Sequence, residues 1–235
     1  MNTTAYEQRR SQIEHYFDRT AADAWARLTS NEPVGRIRAT VRAGRDTMRE
    51  TLLSWLPQDL RGLRILDAGC GTGALALQAA LRGADVVAID LSPTLVKLAA
   101  ERMAAEHPAL RGSVQFMSGD MLSPELGHFD HVVCMDSLIH YDSDQISHAL
   151  AGLAQRTRGS MVFTFAPRTP LLALMHSAGR LFPRSDRSPS LSPVAHADLL
   201  QRMQTHNDLQ GWQGARMQRV ASGFYTSQAW EWTRA

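Results

Sequence analysis

From Leu63 to Pro167 the chain alternates short apolar runs with stretches of helical period, and this rhythm leaves few folds open. "LRILDAG" predicts a buried strand, and "ALALQAALR" a helix that stops at Gly83. "DVVAID" predicts a second strand, followed by a helix over "PTLVKLAAERMAAEH" that Pro108 ends. "VQFMSGD" and "FDHVVCMDSL" predict strands three and four, "DQISHALAGLAQRT" a helix, and "SMVFTFAP" a fifth strand. Strands spaced by helices pair in parallel, so the pattern implies an α/β fold. A Rossmann-like, doubly wound and mostly parallel sheet with helices on both faces is expected.

The flanks read differently. Residues 1–60 are helical and predict a lid ahead of a main domain at 61–235. In "VGRIRATVRAGRDTMRETLLSWL", Val34, Ile37, Val41, Met48, Leu52 and Trp55 fall roughly on one face, and Pro57 ends the helix. An insertion or cap is expected around 168–205. There "RTPLLALMHSAGRLF" has amphipathic helical spacing and "PRSDRSPSLSPVAH" is loop-like. "RMQRVASGFYTSQAWEW" suggests a closing β-hairpin.

Composition narrows the class. With 235 residues and 44% hydrophobic side chains, there is material for a real core. Twenty-five basic residues against 23 acidic ones give a net charge of only +2, no general attraction to nucleic acid. Cys70 and Cys134 stand apart in apolar runs and read as free thiols of a reducing, cytoplasmic setting. The N-terminus is too polar for a signal peptide, and no run approaches the ~18 apolar residues of a membrane span.

The loop "LDAGCGTG" follows the first strand, where an open α/β sheet usually binds its ligand. Gly69, Gly71 and Gly73 are expected to let a ligand approach backbone. A phosphate-binding loop would end in Gly-Lys-Ser or Gly-Lys-Thr; here Gly73 precedes Ala74. Acids stand in place of cations. Asp67 precedes the loop and favours a cationic ligand. Asp90 ends the second strand, placed to hold ribose hydroxyls, with Leu91 after it. Asp120 follows the third strand beside Met121, placed to accept from an exocyclic amine, and Asp136 follows the fourth. Acids at four successive strand ends fit an adenosine with a positive centre and no phosphates, as in S-adenosylmethionine. NAD is the alternative ligand for the loop, disfavoured by Asp67 and by Gly-x-Gly-x-Gly in place of Gly-x-Gly-x-x-Gly.

In this order "LDAGCGTG", "VVAIDLS" and "SGDM" resemble the motifs of class I methyltransferases over about residues 63–166. "HYFDRTAADAWARLTS", "VRAGRDTMRETLLSWLP", "MDSLIHY", "APRTP", "LFPRSDRSP" and "SGFYTSQ" extend the likeness from about Ile13 to Trp230. There the chain resembles the magnesium-protoporphyrin IX methyltransferases of bacteriochlorophyll synthesis. The resemblance implies methyl transfer from S-adenosylmethionine to one propionate of a magnesium porphyrin. Magnesium chelatase is the candidate partner, and a peripheral contact with the photosynthetic membrane is a further expectation. The alternatives are an O-methyltransferase of another small apolar acid or phenol, or a non-catalytic partner that binds porphyrin or cofactor.

The resemblance assigns a catalytic part to His140, either orienting the carboxylate or supporting its charge. The competing reading is an exposed histidine at a helix start. Tyr16 would cover the site, and Tyr141 would pack on porphyrin or on core. Met175 would form part of a soft wall, and Arg168 and Arg184 would pair with the second propionate. Some oxygenic relatives carry a tyrosine near Thr29; threonine stands here, so that role is not carried over. His128 and His131 lack a third ligand nearby, so no protein-held metal is expected. The helix predicted from Leu171 to Phe182 would roof the substrate, lie on a bilayer between its arginines, or pack on the sheet.

Overall fold

The computed structural model describes residues 3–20, 25, 28–29, 35–107, 109–168 and 191–235. Helix α1, Thr3–His15, runs into a π-helical turn at Tyr16–Thr20. Helix α2, Arg36–Trp55, precedes strand β1, Arg64–Ala68. Then come α3 (Ala74–Leu81), β2 (Asp85–Asp90), α4 (Pro93–Glu106), β3 (Ser113–Ser118) and β4 (Phe129–Cys134). Helix α5 (Ser143–Ala154) leads to β5 (Thr157–Phe165), α6 (His196–Thr205), β6 (Trp212–Ser222) and β7 (Tyr225–Arg234).

The strands form one seven-stranded sheet in the order β3-β2-β1-β4-β5-β7-β6. The first five are parallel; β7 runs antiparallel beside β5, and β6 pairs with it as the closing hairpin. Strands β1, β2, β4 and β5 carry buried apolar residues on both faces because both are covered, whereas the edge strand β3 has no buried residue. Leu66, Val87, Ile89, Val132, Met161 and Phe163 face the layer of α5 and α6. Ile65, Val86, Ala88, Val133 and Val162 face α2 and α3. A capping box starts α5: Asp142 accepts from the Gln145 N–H at 2.9 Å, and the Gln145 side chain accepts from the Asp142 N–H at 3.1 Å.

Two local expectations change. The segment before the hairpin holds a helix, α6, that sequence pattern did not announce. Leu199 and Met203 are buried, and the helix packs on α5 in the outer layer of the sheet. On α2 the buried line is Gly44, Met48, Thr51 and Leu52, whereas Ile37 is 58% exposed. Gly44 sets the rotation: a Cβ there would lie 2.5 Å from the Tyr225 ring, so the hairpin seats against that glycine. Residues 169–190, with the expected helix, Met175 and Arg184, and also Val34, lie outside the described residues. Among the described residues no helix is long and apolar enough to cross a membrane.

Strand β1 has β2 on one side and β4 on the other. The connections leaving β1 and β4 therefore diverge, which opens a crevice at their carboxyl ends.

Candidate active site

The crevice is a cavity of about 700 Å³. The turn after β1 forms its floor. Gly69 and Cys70 donate their N–H groups to the Ile89 carbonyl at 2.8 and 3.0 Å, which ties the turn to β2. Gly69 has a left-handed φ of +84°, and a Cβ there would stand 2.3 Å from Ser137 Cβ. The glycine thus lets the turns after β1 and β4 touch. Gly69 and Gly71 border the cavity, but Gly73 does not. Gly73 caps α3 with φ +78°, and its missing side chain makes room for the Phe116 ring, 3.0 Å from a would-be Cβ. Its expected place beside a ligand is corrected to helix–strand packing.

All four strand-end acids border the cavity, in different states. Asp67 is buried and, among the described residues, accepts only the Ala76 N–H, at 3.1 Å. It has no ion pair among the described residues, and burial pushes its pKa up to about 7, with the Asp90 charge adding to the rise. Asp90 accepts from the Gly71 and Ser92 N–H groups at 2.8 and 3.0 Å, and burial raises its pKa also. A carboxylate offers about four acceptor positions, so Asp90 keeps capacity for a ligand hydroxyl.

Asp120 is largely engaged by the N-terminal helix. It accepts from Tyr6 Oη at 3.1 Å, Arg10 Nη1 at 2.6 Å and the Leu122 N–H at 2.9 Å. Little room is left for an exocyclic amine. Asp136 is corrected outright. Its carboxylate accepts from Arg45 Nη1 at 2.6 Å, Tyr225 Oη at 3.0 Å, and Ser227 and Thr164 hydroxyls at 3.3 Å. With its acceptor positions filled it joins α2, β4 and β7 and has none to spare for a cofactor. Its φ of +54° is the only positive value at a non-glycine residue among those described.

His140 ends a 3₁₀ turn, Leu138–His140, that borders the same cavity, and is 5% exposed, which rules out the exposed helix-start reading. Its ring stands 5.6 Å from Phe17, edge to face, and its carbonyl accepts from Arg9 Nε at 2.8 Å. Tyr141 borders the cavity but stacks on Tyr6 at 5.7 Å with its hydroxyl pKa pushed up by burial, so much of the ring is core. Tyr16 borders it too, edge-on to Phe17 at 5.2 Å. Leu91 and Met121 also line the cavity. Arg168 is corrected: it is exposed and away from the cavity wall, and its N–H donates to the Val194 carbonyl at 2.9 Å. His131 contacts Ser160 Oγ at 2.8 Å. Among the described residues no three metal-ligating side chains gather.

Sequence reasoning overlooked Trp25 and the arginines of α2. The Trp25 Nε1 lies 3.2 Å from where a Gly71 Cβ would be, Phe17 packs edge-on to the indole at 5.6 Å, and Arg45 covers it at 4.6 Å. Thr29 donates its hydroxyl to the Trp25 carbonyl at 2.8 Å. A lone Trp amid "DAWARL" and arginines at helical spacing were the available signals.

Residues 65–159 match the family described as methyltransferase domain, and residues 134–234 the family described as magnesium-protoporphyrin IX methyltransferase C-terminus. The magnesium-protoporphyrin O-methyltransferase of Rhodobacter capsulatus is 50% identical over 228 residues, 97% of each chain. The enzyme of that name from Synechocystis is 30% identical over 95% of each. The crystal structure of magnesium protoporphyrin IX methyltransferase from Synechocystis PCC 6803 with bound SAH superposes with a TM-score of 0.83 at 29% identity, covering 96% of this chain and 99% of that one. With half of its residues shared along nearly the full length of the Rhodobacter capsulatus protein, the chain belongs to the magnesium-protoporphyrin O-methyltransferase family.

Proposed function

We propose that the protein transfers a methyl group from S-adenosylmethionine to one propionate carboxylate of magnesium protoporphyrin IX, giving the monomethyl ester in bacteriochlorophyll biosynthesis. One observation carries the reading: 50% identity along 97% of the chain to a magnesium-protoporphyrin O-methyltransferase, in a protein whose main cavity is bordered by strand-end acids and by arginines of α2. The cofactor suits this wall. Asp67 is a buried carboxylate without a counter-charge among the described residues, and a ligand cation would supply one. Asp90 retains acceptor capacity for ribose hydroxyls. When bound, S-adenosylmethionine supplies a methyl group on a sulfonium, already activated towards a carboxylate oxygen, with the sulfur taking back the electron pair.

The chain's own task is positioning. A propionate has a pKa near ~4.3 and is ionised at neutral pH, so no strong base is required. His140 orients the acceptor carboxylate from the buried turn beside Phe17. Helix α1 and the π-turn close over the cavity through Tyr6, Ile13, Tyr16 and Phe17 and exclude water. The magnesium arrives inside the substrate. A magnesium chelatase hands that substrate on in this reading, and a bilayer contact would fall on residues 171–182, outside the described residues.

Incubation with labelled methyl donor and magnesium protoporphyrin tests the reading, a labelled monomethyl ester being the expected product. The pH profile should have two regions. From pH 7 to 9 the single-turnover rate should be nearly flat; a rise of one log unit per pH unit would point to a phenol acceptor. Below pH 7, S-adenosylhomocysteine should bind more weakly, since its ammonium requires Asp67 ionised. The sign follows from linkage. The Asp67 carboxyl has an ordinary value of 3.8 and a folded value of about 7. It therefore favours the ligand-free fold at low pH, and that contribution is lost as pH rises between the two values. Ligand affinity gains what the empty fold loses, by ~10-fold from pH 6 to 7.5. Calorimetry at the two pH values reads this directly, and equal affinities would remove Asp67 from the cation site.

A further inference from the structure

Arg38, Arg42, Arg45 and Arg49 follow one another at four, three and four residues on α2. Side chains so spaced share one helix face, and all four border the cavity. The hairpin fixes that orientation from behind. A Cβ at Gly223 would stand 2.3 Å from Thr40 Oγ1, and Tyr225 abuts Gly44. The arginine face is therefore set by packing, not by side-chain choice.

The four differ in their partners. Arg45 is paired with Asp136 at 2.6 Å, and Arg49 with Asp46 at 2.7 Å. Arg42 directs Nε to the Leu28 carbonyl at 2.9 Å, which fixes the plane of its guanidinium. Arg38 makes no hydrogen bond or ion pair among the described residues and stands exposed at the rim of the cavity.

A porphyrin with two propionates brings two negative charges into a cavity that already holds Asp67, Asp90 and Asp120. Methylation removes one charge; the other persists through substrate and product. We propose that Arg38, flanked by the oriented Arg42, receives the propionate that is not methylated. This rests on the porphyrin reading above and adds to it a specificity residue. A guanidinium suits the role because its planar fork grips a carboxylate with two parallel bonds.

The experiment compares three probes by quenching of porphyrin fluorescence: magnesium protoporphyrin, its enzymatic monomethyl ester and its dimethyl ester. The monomethyl ester keeps the unmethylated propionate, and the dimethyl ester has lost it. The unaltered protein should bind the monomethyl ester about tenfold more tightly than the dimethyl ester, the size of a charge-assisted hydrogen bond. Arg38→Gln should weaken the diacid and the monomethyl ester by about the same factor and leave the dimethyl ester unchanged. Arg38→Lys should recover part of the loss. S-adenosylhomocysteine affinity checks that each variant is folded. Equal binding of the two esters by the unaltered protein overturns the subsite without recourse to any variant. So does a loss in Arg38→Gln that is the same for all three probes. If the unaltered protein fails to methylate magnesium protoporphyrin at all, the functional reading falls and the subsite with it. Turnover without ester discrimination removes the subsite alone.

Discussion

Asp136→Ala should cost about 3–5 kcal/mol of stability, because it strands the partner of a buried ion pair. The Arg45 side chain is only 18% exposed and the Asp136 side chain 3%, so solvent replaces the contact only in part. Tyr225 and Ser227 lose their acceptor in the same step. Alanine also tolerates the left-handed backbone at φ +54° less well than aspartate does. For a chain of this length the loss corresponds to a fall in melting temperature of roughly 10 °C. Asp136→Asn keeps a short side chain suited to that backbone and should fall between alanine and the unaltered protein. Calorimetric melting of the three proteins checks the order. A loss below about 1 kcal/mol in the alanine variant would return Asp136 to the cofactor ligands.

Asp90→Ala should weaken S-adenosylhomocysteine binding by about 1.5–3 kcal/mol, roughly 10- to 150-fold in Kd. Two losses act together. The proposed acceptor of the ribose hydroxyls is removed, and Gly71 loses the acceptor that holds the glycine turn against β2. The melting temperature should change less than in Asp136→Ala, because the residue borders the cavity and its partners among the described residues are backbone groups. Titration calorimetry measures the affinity, and an unchanged Kd in a folded variant would remove Asp90 from the ribose contact.

The parallel sheet was legible because most of its strands carry apolar runs and several of the intervening helices are bounded by glycine or proline, as at Gly83 and Pro108. Asp67 and Asp90 were legible as cavity acids because both flank the glycine turn in an order that the chain itself displays. Asp136 stands at the same kind of position. What occupies it comes from α2, 91 residues away, and from β7, and no local pattern announces that meeting. Helix α6 was hidden by the Pro- and Ser-rich stretch before it and by its length of 10 residues, with only Leu199 and Met203 deeply buried. The arginine face was present in the spacing of α2, but its apolar residues drew the eye. Which face looks inward depended on the hairpin packing at Gly44, a contact between distant parts of the chain. Trp25 meets the glycine turn in the same way, through space and not along the sequence.

Helix α1 is fastened over the cavity by polar ties at its rim: Arg10 to Asp120, and Arg9 to the carbonyl of His140. The Arg10 side chain is 35% exposed, so its ion pair contributes no more than about 1 kcal/mol and weakens as ions screen it. Closure over the reacting groups thus depends in part on ionic strength, while the floor built from β1 and β2 does not. Raising salt should speed the escape of spent cofactor and deuterium uptake by α1 and leave uptake in the β1–β2 pair unchanged. On that expectation the by-product leaves through a loosening at one end of the chain, while the chemistry stays on the part that does not move.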